Sequence, residues 1–120
     1  MSRTAWSILV WGIYMIVIGL GFLFLPNAIL PVFGFPTTSE AWIRVTGLLV
    51  VILGFYYAYC ARSNAVPFFH ATIPGRFAFA LGLAALVALG LSAPPLLLLG
   101  ALDAGGALWT WRALRVDEKG

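Results

Sequence analysis

One acid stands alone in the middle of an apolar run: Asp103, in the stretch PLLLLGALDAGGALW. A carboxylate amid hydrocarbon is costly unless it is paired, neutral or hydrated. Two chemistries follow. Asp103 is either a structural ion pair or hydrogen-bond pin, or the centre of a ligand, proton or substrate site. Its expected partner is Arg44, which opens an earlier apolar run and enters from the same side of the layer. Arg76, after Pro74 and Gly75, belongs to the opposite side. It reads as an interfacial arginine with its stem along apolar surface, or as a contact for an anionic headgroup. His70 is the sole histidine and reads as a loop residue bonded to its neighbours. Tyr57 lies with Tyr56 and Tyr59 at one end of the second apolar run, where tyrosines anchor an interface. Tyr14, in the first run, wants a hydrogen-bond partner if it faces inward.

Several chemistries are excluded. One histidine cannot ligate haem from both faces, and the single cysteine, Cys60, has no partner for a disulfide or a metal cluster. No metal or other cofactor is therefore expected. The chain has no GxSxG, HExxH, phosphate-loop or dinucleotide-binding pattern, and no paired carboxylates for acid/base work. The basic residues never form a run, which argues against nucleic acid.

The elements that position these residues follow from composition. Of 120 residues, 62% are hydrophobic and 9% charged, with a mean hydropathy of +1.02. Soluble domains average about 25% charged residues. So little charge cannot clothe a water-facing surface, so the expected solvent is lipid. Lipid leaves no water for peptide groups, so spanning segments are helices of about 20 apolar residues or closed barrels, and these long unbroken runs lack the alternation of barrel strands. The predicted fold is an all-α membrane protein, an antiparallel bundle of four transmembrane helices in a single domain, 1–120. The helices are expected near Trp6–Leu25, Ser39–Ala61, Arg76–Leu91 and Pro95–Leu114. Thr37 and Glu40 predict a capping box before the second, and Ser92 a cap before the fourth. A short connection makes the last two a hairpin.

Basic residues set the orientation. With the N-terminus inside, Arg3, Arg62, Arg76, Arg112, Arg115 and Lys119 are inner and Arg44 is outer. That predicts cytoplasmic termini in an inner membrane. The apolar loops 26–38 and 66–73 should lie in the interface or fold back. Between apolar helices the association comes from close approach at small residues. Each helix has such a stripe: Gly12 and Gly19 on the first, Gly47 and Gly54 on the second, Ala78, Gly82 and Ala85 on the third, and Gly100 and Ala107 around Asp103 on the fourth.

The stretch LPNAILPVFGFPTTSEAWIRVTGLLVVILGFYYAYCARSNAVPFFHATIPGR resembles small four-helix bacterial membrane proteins of the DoxX-like and BphX-like kind. The likeness rests on Gly34 with Pro36, Trp42 with Arg44, Gly47, Gly54, Tyr56, Tyr57, Arg76 and Asp103. It implies a four-helix inner-membrane protein and transfers little function, since the members with a known role are accessory membrane partners in redox or catabolic systems. The length is also similar to that of small multidrug transporters. Those need an acid in the first helix, and none is present here. Three functions stay open at this point. The first is a non-catalytic accessory or assembly subunit, bound to lipids and to copies of itself or to other chains. The second is a small-molecule or lipid carrier with a polar core at Arg44 and Asp103. The third is a lipid-acting enzyme using Arg76, His70 and the inner loop.

Overall fold

The computed structural model describes residues 1–119 and is helical throughout its main elements. These are α1 (Arg3–Phe24), a short α2 (Pro26–Ile29) running into a 3-10 turn (Leu30–Phe33), α3 (Trp42–Arg62), α4 (Val66–Ala88) and α5 (Leu96–Lys119). Three of the four long helices, α1, α3 and α4, are long and apolar enough to cross a membrane. At 1.5 Å per residue each spans about 32–35 Å, against a hydrocarbon core of about 30 Å. The expected fourth span, α5, falls outside that group. Asp103 interrupts it, and its last turns carry the charges of RALRVDEK.

The boundaries shift where sequence signals compete. α4 begins at Val66, not Arg76, because the expected inner loop is helical. Pro67 sits in the first turn, where its missing N–H costs nothing. Pro74 lies inside the helix and leaves one i−4 carbonyl without its usual donor. α3 begins at Trp42 without a side-chain cap, so the Thr37–Glu40 capping box does not form. Instead Thr38 Oγ1 accepts from the Glu40 amide at 3.0 Å, and Asn27 Oδ1 accepts from the Thr38 amide at 2.9 Å. The loop 26–38 folds back, burying Leu30 and packing Phe33 with Leu83 and Leu96. Gly34 ends its turn with φ 81°, where a side chain would be strained.

Packing is uneven. α1 and α3 run antiparallel in close contact along a glycine seam. A Cβ on Gly12 would lie 2.8 Å from the Gly54 carbonyl oxygen, and one on Gly47 2.6 Å from that of Gly19. No side chain fits at these separations, so the backbones meet directly. α5 lies against both α1 and α4, and Gly100 approaches Ala80 and Leu83 of α4. The expected stripe of α4 is a correction. Ala78, Gly82 and Ala85 are exposed, and a Cβ on Gly82 would meet nothing within 4 Å. α4 turns Thr72, Arg76 and Leu83 inward instead, because the polar pair needs partners that lipid cannot supply. The resulting order is α3, α1, α5, α4. α3 and α4 meet at one end, where Tyr57 and Phe68 stand edge to face at 5.0 Å, and leave a cleft along the rest.

Candidate binding site

The cleft between α3 and α4 is a cavity of about 380 Å³. α1 forms its floor with Trp11, Tyr14 and Met15. Tyr57 comes from α3, Arg76 and Phe79 from α4, and Asp103 from α5. Its walls are mainly apolar, with polar groups gathered at Tyr14, Tyr57, Arg76 and Asp103. That combination is typical of small-molecule sites, whose volumes begin near 300 Å³.

Arg76 is the best-supported residue of the site and is only 3% exposed. Its Nη2 donates to Thr110 Oγ1 at 2.7 Å and to Thr72 Oγ1 at 3.3 Å, while Nε donates to the Thr72 carbonyl at 3.4 Å. Thr72 is one turn before Arg76 on α4, so helix geometry alone brings the pair together. The guanidinium lies over Trp11, 5.4 Å from the ring centroid, an attraction strengthened by desolvation. Gly106 leaves space for that stack. A Cβ there would fall 2.7 Å from the indole and 3.3 Å from Nη1.

Behind Arg76 a line of hydroxyls runs to the chain's surface. Thr110 and Ser7 share a hydrogen bond of 2.8 Å, and Ser7 donates to the Thr4 carbonyl at 2.7 Å. Thr4 donates through its hydroxyl and its amide to Asp117, at 2.6 and 2.9 Å. Thr4, Ser7 and Thr110 are each at most 1% exposed. Asp117 lies beyond the apolar part of α5. Its carboxyl is held below the usual range, chiefly by the Thr4 hydroxyl and then by the Thr4 amide. Because Ser7 bonds a carbonyl and not the Thr4 hydroxyl, the line braces α1 against α5 but does not connect as a proton wire.

Two polar atoms of the site lack a partner among the described residues: Arg76 Nη1 and Tyr14 Oη, both buried. Asp103, 7% exposed, faces the same cavity, yet no ion pair within 4.0 Å joins it to Arg76. A buried donor without an acceptor costs about 1–3 kcal/mol, and more when charged. Comparison with known protein families, curated proteins and solved structures finds no match. The site is therefore read from its own chemistry.

Arg44 does not reach Asp103, which corrects the expected pairing. It is exposed, and its Nη1 donates to the Leu23 carbonyl, one of the orphan acceptors at the end of α1. Near that helix end an arginine also meets the negative pole of the dipole. Arg76, not Arg44, is the arginine that lines the cavity with Asp103, since the early start of α4 moves it from the interface into the helix interior. His70 lies outside the cavity, in the first turns of α4, and pairs with Glu118 at 3.2 Å on the surface. Tyr57 lines the site; Tyr56 and Tyr59 are exposed and do not. Thr72, Ser7, Trp11 and Gly106 join the site without standing out in the sequence. The available signal was the recurrence of polar residues at three- and four-residue steps, Thr4 with Ser7 and Thr72 with Arg76.

Proposed function

We propose that this is a membrane-embedded binding protein for a small, neutral-headed amphiphile that enters sideways between α3 and α4. The buried, unpartnered Nη1 of Arg76, beside Asp103 in the same cavity, carries this reading. Arg76 and Asp103 together carry no net charge. A neutral head with one acceptor and one donor satisfies Nη1 and the carboxylate at once. A bare anion would meet Asp103, and a bare cation Arg76. Trp11, Tyr14 and Phe79 offer flat apolar walls for the ligand's body. The DoxX-like and BphX-like resemblance is compatible with this reading, since its arginine at 76 and acid at 103 are the charged residues of the cavity. The accessory-subunit reading rests on the exposed apolar faces of α3 and α4, which surrounding lipid accounts for equally well.

The same reading takes α5 as a fourth crossing. Its polar residues Asp103 and Thr110 are buried against α1 and α4, leaving leucines outward. Leu96–Leu114 spans about 28 Å. Both termini are then cytoplasmic, with Arg3, Arg62, Arg112, Arg115 and Lys119 at one end and Arg44 at the other.

Hydroxycoumarin, a flat fluorophore with a carbonyl acceptor and a hydroxyl donor, tests the site in detergent-solubilised protein. The decisive variant is Gly75→Leu. A Cβ at Gly75 meets nothing within 4 Å, and the residue lines the cavity. This substitution should leave folding intact while occupying the cavity. Saturable binding lost in Gly75→Leu and weakened at least tenfold in Arg76→Gln supports the proposal. Binding that is unsaturable, or unchanged in Gly75→Leu, overturns it.

A further inference from the structure

A second ligand position lies along the groove between α1 and α5, whose apolar part borders the first cavity through Trp11 and Tyr14. Two adjoining hollows of about 300 and 400 Å³ share Trp109. The first is lined by Arg3 and Trp6 of α1 and by Arg112 of α5. The second continues along the helices past Val10, Leu102 and Gly105 to Ala101. From Arg112 to Ala101 is about 16 Å of helix, close to the roughly 15 Å depth of one bilayer leaflet. The groove is thus basic and aromatic at its mouth and apolar beyond. Gly105 keeps the apolar part open, since a Cβ there would meet nothing within 4 Å.

We infer that this groove holds one anionic phospholipid, its phosphate between Arg3 and Arg112 and one acyl chain along Val10, Leu102 and Gly105. No acid lines either hollow. Asp117, the carboxylate that feels Arg3, is engaged by Thr4. Arg115 stands over Trp111, 5.0 Å from its ring. The charge at the mouth therefore selects an anion. A second copy of this chain docked here about a two-fold axis would bring Arg3 and Arg112 against the same basic end, a like-charge contact. A lipid brings the opposite charge and a chain of the right length.

Native mass spectrometry of the full chain, exchanged into phosphatidylglycerol or phosphatidylcholine of identical acyl chains, tests this. Each basic residue beside an anionic headgroup favours it about fivefold, so one retained phosphatidylglycerol with a preference of about 30-fold is expected. The surface double variant Arg3→Gln/Arg112→Gln should bring the two lipids to parity. Gly105→Leu should lower retention of phosphatidylglycerol with no change of charge. Excess inorganic phosphate should not displace the lipid, because the acyl chain shares the binding. Parity in the unaltered protein, a preference surviving in the double variant, unchanged retention in Gly105→Leu, or displacement by phosphate alone would each overturn the assignment. So would a dimer, free of lipid, that the double variant abolishes. Arg3, Arg112 and Gly105 do not line the cavity between α3 and α4, so these variants leave hydroxycoumarin binding there as a separate readout.

Discussion

The two sides of α1 are built on opposite principles. Toward α3 it presents Gly12 and Gly19, and the backbones touch with no side chain between them. Toward α4 and α5 it presents Thr4, Ser7 and Trp11, and the helices are joined by hydroxyls, a guanidinium and an indole. The first side is closed and has no room for a ligand. The second cannot close, because an arginine and an aspartate need volume, and the cavity is the result. In a solvent as apolar as the side chains, close contact and polar bonding are the two ways to hold helices together. This chain uses one on each face of the same helix.

The contrast breaks most visibly at the glycine seam. Gly54→Leu should cost about 3 kcal/mol or more, since overpacking against backbone has little relief, and folded yield and thermal midpoint in detergent should collapse. Gly82→Leu, on the exposed face of α4, should leave both unchanged. Equal tolerance at the two positions would dissolve the distinction. Next in size, Thr110→Val removes the shared partner of Arg76 and Ser7. Two buried polar groups lose a bond, for an expected loss of about 2–3 kcal/mol. Thr110→Ser should restore most of it, which a merely volumetric role would not require.

The cavity variant sharpens the comparison from the other direction. Gly75→Leu replaces a poor helix former by a good one, worth about 0.5–1 kcal/mol, so thermal stability should hold or rise while hydroxycoumarin binding falls. A fall in both would mean that the cavity is part of the packing. The smallest effect belongs to Asp117. Its folded carboxyl titrates below the ordinary value of about 3.9. Its contribution is therefore fully present above that value and is lost as pH falls through the folded one. Between neutral pH and pH of about 3, the thermal midpoint should drop more in the unaltered protein than in Thr4→Val. Parallel curves would remove the Thr4–Asp117 link from the account.

Much of this was legible from residue types. Asp103 announced itself as the costly group of the apolar interior, and Gly12, Gly19, Gly47 and Gly54 marked a seam by their seven-residue spacing. The sequence puts Arg76 at an interface because Pro74 and Gly75 have the form of a helix start, whereas both lie inside α4. A proline nine residues into a helix is locally indistinguishable from one before it. The small residues of α4 misled for a related reason. Ala78, Gly82 and Ala85 permit close approach but do not compel it, and the polar face around Thr72 and Arg76 had the stronger claim on the interior.

Composition and the length of its apolar runs determined that this chain forms long helices suited to a membrane, because a helix satisfies its own peptide groups without water and the runs are too long and unbroken for barrel strands. Which helices touch was decided only in three dimensions. Arg44 at the end of α1, Arg76 under Thr110, and the gap between α3 and α4 depend on the rotation of each helix about its axis. That rotation is a compromise among all the neighbours at once, and no local stretch of sequence contains it.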